Sequence, residues 1–325
     1  MSSTPPGAPR ILYTLDGSDP AAGSRFSAPL PLSHTIIVRA VAVDASGSPL
    51  SEATTHTIIL TSDVLTQPPN PPGWPLQWGG AGTGMSATPA DYAVDPRGGL
   101  SAADLLSVPV VSLVMPSIDG WFGTQGLYNN REDTSPFPTS FEFMPPPSAP
   151  TVSDPPQMPQ LSVGCGVSSQ GGSSVTSSSR GWKDEKASLR LRFKSEFGAK
   201  ELDAGPGGIF TDSDAAVAFD GLILDAQMNN EWHYGGGMRG VNQRMRGTGC
   251  IRDQLVSDMM QRNGLRAPHG RLVLLFLNGL LWGLYDLHER PDEKFCEWAT
   301  LSHCAGHFLW IHFCIYRHLS LRDCV

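Results

Sequence analysis

The side chains that could do chemistry gather in the second half of the chain. Asp225, Asn229, Asn230 and His233 follow the apolar run Phe219 to Leu224 (FDGLIL), so a strand would deliver them together at its end. Glu289 and Arg290 close a second apolar stretch, just ahead of Pro291, which lacks the N–H needed to continue a ladder. Lys186 opens KASLRLRF, in which Leu189, Leu191 and Phe193 alternate with Arg190, Arg192 and Lys194 as in a half-buried strand. A Gly/Ser run, GCGVSSQGGSSVTSSS, contains Gly171 and Gly172, where the missing Cβ lets backbone approach a phosphate. It is not the GxxxxGKS pattern of a P-loop, and such runs are more often plain flexible loop. Cys304, His307, His312 and Cys314 are soft ligands, but their spacing matches no zinc pattern.

These groups need elements to hold them, and the most legible element is Arg271 to Phe295, RLVLLFLNGLLWGLYDLHERPDEKF. Leu272 to Leu277 reads as a buried strand, Asn278-Gly279 as a two-residue hairpin turn, and Leu280 to Leu287 as the return strand. Cys250 to Asn263 has helical spacing, with Ile251, Leu255 and Met259 four apart, and Gly264 stops it. Val108 to Met115 (VPVVSLVM) reads as a buried strand, and Phe141-Glu142-Phe143 alternates. Further upstream, Ile11 to Thr14, Thr35 to Val43 and Thr54 to Leu60 are strands of a small β-sandwich, with Asp16 and Asp19 doing turn chemistry between them. Between the halves, Pro68 to Pro75 cannot be helix, and Trp74, Trp78 and Tyr92 are expected to pin this linker to the next domain.

Composition sets the outer bounds. The chain has 325 residues, room for two domains, and a formal charge of −8, which gives no electrostatic footprint for nucleic acid. No apolar window is long enough for a membrane span, and the N-terminus carries no secretory signal. Four of six cysteines lie from Cys296 onward, which leaves too few elsewhere for a disulfide framework.

The order of these blocks resembles two known families. YTLDGSDP followed by RAVAVDASGSPLSEATTHTIIL resembles the chitobiase/β-hexosaminidase C-terminal-type module, which implies a small all-β, Ig-like sandwich over 1–62, clipped at its N-terminus. VSLVM, GLYNN, GCGVSSQGGSS, KASLRLRFKSEFGAKEL, FDGLILDAQMNNEW, IRDQLVSDMMQRNG and the hairpin block together resemble the spore-coat protein H (CotH) family of atypical kinases. That resemblance implies a multidomain chain: a Pro/Gly-rich linker over 63–104, then an α+β kinase-like domain over 105–295 with a disordered insertion near 145–160. It implies ATP with Mg or Mn as cofactor, phosphoryl transfer to a protein substrate, and a secreted, coat or cell-surface setting. Lys186 then stands at the family's strand lysine, which neutralises ATP phosphates, and Glu289 stands in its terminal ER pair. The expectation is a catalytic pair, Lys186 with Glu289, on neighbouring strands facing one cleft. Gly171, Gly172, Asp225 and Asn229 join Lys186 in binding the nucleotide, and no residue is assigned to a metal.

From Cys296 to Val325 the family pattern ends, and four of nine histidines fall in this stretch. The expectation is a kinase-like domain incomplete at its C-terminus, lacking the downstream metal-binding acids and hence inactive. The alternative is a non-catalytic structural or interaction protein of a coat or cell surface.

Overall fold

The computed structural model describes residues 9–80, 85–95, 98–147, 158–171, 186–205, 208–210, 215–226, 251–292 and 295. Gly172, Asn229, Asn230, His233, most of the 145–160 insertion and the segment from Cys296 to Val325 lie outside these residues.

The first sheet is built from β1 (Arg10–Thr14), β2 (Ser24–Arg25), β3 (Ile36–Val43) and β4 (Thr54–Ile58), in the order β2-β1-β3-β4 with every pair antiparallel. Its turns follow from side-chain chemistry. Asp16 accepts from the Ser18 N–H at 3.0 Å, and Asp19 accepts from the Ala21 N–H at 2.9 Å, capping a single 3-10 turn. The linker that follows is folded. It contains α1 (Thr61–Leu65), the pair β5 (Gln77–Gly80) and β6 (Met85–Pro89), and α2 (Ala102–Leu106), the last opened by a capping box between Ser101 and Asp104. As expected, Trp74 and Tyr92 pin it: Trp74 stacks on Trp282 at 5.9 Å, and Tyr92 meets Trp74 edge-on at 5.6 Å.

The remaining strands close a barrel. They are β7 (Val110–Val114), β8 (Phe137–Met144), β9 (Leu161–Ser169), β10 (Leu189–Arg192), β13 (Gly221–Asp225), β14 (Gly270–Leu277) and β15 (Leu280–Glu289), in the closed order β10-β13-β15-β14-β7-β8-β9. A short ribbon of β11 (Leu202–Asp203) and β12 (Ala218–Phe219) stands beside it. One pair, β7 with β14, is parallel, and the others are antiparallel. The helices near the barrel are α3 (Asp119–Phe122) and α4 (Arg252–Arg262). An α+β architecture is expected from the resemblance, but the described residues are mostly β, and α4 is the one helix among them longer than five residues. The local cause is that the apolar blocks are short runs, alternating as in LRLR or continuous and rich in Leu and Val as in RLVLLFL, lengths that suit a strand and not a helix.

That alternation sorts the barrel's faces. Leu189, Leu224 and Leu287 are cross-strand partners on the inside, and the next inward row is Leu191, Leu222 and Glu289. Phe141, Phe143, Cys165, Val167, Val273 and Leu275 fill the rest of the interior. Desolvation in this interior raises the Cys165 thiol far above its usual range, so it packs as a small apolar group. Ser112 and Glu142 face outward yet are buried, because β4 lies over them: Thr57 Oγ1 meets Ser112 Oγ at 2.8 Å and donates to Glu142 Oε2 at 2.6 Å. On a neighbouring stretch Phe276 faces outward beneath Val64 and Leu105, from α1 and α2.

The hairpin forms at the expected place. Asn278 and Gly279 take φ of 41° and 80°, both positive, as a type I′ turn requires. Asn278 is also a structural hub. Its Oδ1 accepts from the Met115 N–H at 3.0 Å and Trp121 Nε1 at 2.8 Å, and its Nδ2 donates to the Met115 carbonyl at 2.8 Å. α4 forms as its spacing predicts, but Ile251, Leu255 and Met259 are 51%, 51% and 56% exposed. The helix turns a polar side to the barrel instead, with Gln254 lying against Gly270 at the start of β14.

Candidate functional site

Three strands, β10, β13 and β15, position the candidate residues, with β13 in the middle. Lys186 lies just before β10 and is half-buried. Its ammonium reaches over Gly283 of β15, within 2.5 Å of the position a Cβ would occupy there. Any other residue at 283 would displace it. Gly283 is followed inward along β15 by Tyr285, and it follows a bulge: Phe276 pairs with Leu281 and Leu275 with Gly283, so Trp282 is the extra residue. Lys186 makes no hydrogen bond or ion pair within the described residues.

The surroundings of the lysine are aromatic and dry. Tyr285 Oη donates to the Ala187 carbonyl at 3.2 Å, and the Ala187 N–H donates to Tyr128 Oη at 3.3 Å. Burial raises both phenols, Tyr285 well above its ordinary range. The Arg131 guanidinium lies 4.7 Å from the centre of the Tyr128 ring. Trp282 stacks with Trp74 and stands 5.7 Å from Tyr128, edge to face. Gly171, with φ of 119°, leaves the end of β9 where the Gln170 N–H bonds the Ser188 carbonyl, so it sits at the Lys186 end of its neighbour strand.

Glu289 is elsewhere. It is on the inward face, but six residues further along β15 than Gly283, roughly 20 Å at about 3.4 Å per residue. Both its oxygens are engaged. Oε2 accepts from the His269 N–H and Nδ1, each at 2.9 Å, and Oε1 accepts from the Ala216 N–H at 3.3 Å. Lys186 and Glu289 are therefore not a pair, and their strands are not neighbours but flank β13. The alternation of LLWGLYDL misleads here because it fixes a face and not a position along the strand: Glu289 shares the inward face with Gly283 but lies six residues further on, and β13 stands between the two strands.

Asp225 belongs to the outer face. It lies directly opposite Asp286 on β15, and Ser188 Oγ donates to its Oδ1 at 2.9 Å while accepting from the Ala226 N–H at 3.0 Å. Asp225 and the lysine ammonium are at the same end of the sheet but on opposite faces of it. Asp286 is buried, and desolvation pushes its carboxyl up to about 6; His288 counters this in part, and Asp225, Asp253 and Asp258 add to it. None of Gly283, Tyr285, Tyr128 or Asp286 stands out from residue type alone. An isolated glycine inside an apolar strand does mark a bulge or a close approach, and Gly283 carries that signal.

The described residues thus offer a half-buried ammonium over a glycine floor, which suits a phosphate oxygen. Among them there is no group of three or more His, Cys, Asp or Glu side chains that could hold a metal ion, so no step is derived through one. No helix among them is long and apolar enough to cross a membrane. No curated protein matches the chain. Residues 1–55 match the family model of the chitobiase/beta-hexosaminidase C-terminal domain, a span that stops within β4. Residues 172–309 match that of the CotH kinase protein, a span that takes in β10 to β15 but begins after β7 to β9, although these strands close the same barrel. In chain order, then, this protein is similar first to a chitobiase/beta-hexosaminidase C-terminal domain and then to a CotH kinase protein.

Proposed function

We propose that the chain is a CotH-like kinase homologue that holds the phosphates of ATP at the Lys186 end of the barrel. The observation that carries this reading is the lysine ammonium poised over Gly283, with no carboxylate among the described residues neutralising it, inside the span that matches the kinase family. In this reading Lys186 binds a phosphate oxygen, and the backbone at Gly171 and Gly172 approaches the same group. Tyr128 and Tyr285 fix Ala187, and so fix where the lysine leaves the chain. Bound ATP would supply the phosphoryl group for a hydroxyl of a protein acceptor, in a coat or cell-surface setting. Asp225 and Asn229 are assigned to the rim, and Asp225 acts from the outer face through Ser188.

A lysine that grips phosphate in a kinase is normally held by a carboxylate. Here Glu289 is committed to His269 and Ala216, and no carboxylate among the described residues holds the lysine. We therefore assign this chain weak nucleotide binding without turnover. The same commitment of Glu289 favours a second reading, a non-catalytic scaffold on a kinase-like frame.

Calorimetry with ATP, with and without Mg²⁺ or Mn²⁺, tests the proposal. Losing one charge-assisted contact should weaken binding about tenfold in Lys186→Ala. Gly283→Val should act alike by filling the floor under the ammonium. Unchanged ATP affinity in both variants would sink the lysine's role. Robust metal-dependent transfer of labelled phosphate that survives Lys186→Ala would overturn both the role and the absence of turnover.

A further inference from the structure

On the outer face of the same strands, a second cationic group has no role in the reading above. Arg190 and Arg192 are alternate residues on β10 and face outward together, since their neighbours Leu189 and Leu191 face in. Arg192 pairs with Gly221 on β13, and Leu222 pairs with Glu289 on β15, so the next residue, Arg290, flanks Gly221 from the other side. Two arginines thus stand on either side of a strand position with no side chain, roughly 10 Å apart at about 4.8 Å per strand. Gly221 is close-packed on its neighbour, for a Cβ there would lie 3.1 Å from the Leu191 carbonyl oxygen.

Three buried polar atoms around this glycine have no partner among the described residues. The Nε atoms of Arg190 and Arg192 are buried with no hydrogen-bond partner. Ser168, the cross-strand partner of Arg190 on β9, is 1% exposed, and its hydroxyl is also buried without a partner. Buried donors left unmade are costly, so an acceptor here would be strongly felt. One carboxylate is close: Asp292 takes one side of Arg290, with Arg290 Nη1 donating to it at 3.1 Å. Asp220 lies within electrostatic reach of Arg190. Burial first, and then the charges of Arg290 and Arg192, depress Arg190 to about 10, with Asp292 and Asp220 acting against them.

We propose that Arg190, Arg192 and Arg290, around the Gly221 floor and beside Ser168, form a binding site for a tetrahedral phosphoryl dianion on the outside of the barrel. Guanidinium forks match phosphate oxygens in pairs, and a glycine floor lets the anion come close to the sheet. Two sources share this chemistry: free inorganic phosphate and a phosphorylated serine side chain on a peptide. The site lies on the opposite face from Lys186 and does not depend on the nucleotide reading.

The test is calorimetric titration of the full chain with inorganic phosphate, with a phosphoserine peptide, and with the same peptide unphosphorylated. Phosphate and phosphopeptide should bind, and the unphosphorylated peptide should not. Phosphopeptide binding at least tenfold tighter than phosphate identifies the side-chain source, and equal affinity identifies the free ion. Arg192→Gln and Arg290→Gln should each weaken binding about tenfold, whereas Lys186→Ala should leave it unchanged and the arginine variants should keep their ATP affinity. A measurement on the unaltered chain guards against variants that fail to fold: phosphate should protect Arg190, Arg192 and Arg290 from phenylglyoxal, read by mass spectrometry. Absence of phosphate binding, binding that both glutamine variants retain, or loss of binding in Lys186→Ala alone would overturn the site.

Discussion

Asp286 shows what one misplaced charge does to a sheet. It is an acid on the outward face of β15, directly across from Asp225, and it is 1% exposed. Desolvation, reinforced by the neighbouring acids, lifts its carboxyl from 3.8 to about 6. The folded state therefore binds a proton more tightly than the unfolded chain does. The stability this gives is fully present below the unfolded value near 4 and is lost as pH rises through about 6. The swing is on the order of 3 kcal/mol, from about two pKa units at 1.36 kcal/mol each. Asp286→Asn, which stays neutral, should raise the melting temperature at pH 8 and flatten its dependence between pH 4 and 7. A variant as pH-sensitive as the parent would assign the dependence to another group. Glu289, also buried on β15, has its oxygens met by two backbone N–H groups and a histidine.

Elements differ in how much of themselves they write into the sequence. The β14–β15 hairpin is legible almost to the residue, because Asn-Gly demands positive φ twice and the flanking runs are apolar. α4 is legible as a helix but not in its orientation, since Ile251, Leu255 and Met259 look like a core face and are exposed. The run GCGVSS, read as flexible loop from its Gly and Ser content, is instead the buried end of β9 paired with β10, which is what brings Gly171 to the Lys186 end. The bulge at Trp282, the barrel's closure and the separation of Lys186 from Glu289 are not legible, because register between distant strands leaves no local mark. The hairpin turn also does more than its backbone requires, since Asn278 bonds Met115 twice and the buried Trp121 once. Asn278→Gly keeps the turn but strands those groups, and should cost about 2–3 kcal/mol. Asn278→Ala should cost about 1–2 kcal/mol more, because alanine resists the left-handed region. Chemical denaturation of the two variants separates these contributions. Equal losses would show that the turn's φ angles carry no extra cost for alanine.

At the scale of the whole molecule, the N-terminal sheet is fastened to the barrel by polar groups. Glu142, 1% exposed, accepts from the Thr57 N–H at 2.8 Å, from Thr57 Oγ1 at 2.6 Å and from His56 Nδ1 at 3.0 Å. Thr55 adds a hydroxyl contact to Ser140 at 2.8 Å and a carbonyl that accepts from Ser162 at 3.1 Å. His56 is 53% exposed, so its ion pair is a minor part of the seam, and the buried threonine contacts are the major part. Glu142→Gln keeps a carbonyl oxygen for the two Thr57 donors, which both bond Oε2, but it exchanges a charged acceptor for a neutral one and turns an amide N–H toward His56 Nδ1, and it should destabilise the chain by about 1–2 kcal/mol. It should also split one thermal transition into two as the modules uncouple. A single transition at an unchanged temperature would mean that the seam does not couple them.

The parallel contact of β7 with β14 has a temporal consequence. Met115, just past β7, and Asn278, at the hairpin tip, are bonded although they stand 163 residues apart in sequence. On a ribosome the chain grows at about 5–20 residues per second, so β7 waits on the order of ten seconds or more for its partner. During that interval Val110 to Val114 presents an unpaired apolar edge, the kind of surface that recruits other chains. The early-made β4, already able to lie over Ser112 and Glu142, shields the face of that strand but not its edge. Slow synthesis or crowded expression should therefore lead to aggregation through β7 before the barrel has ever closed.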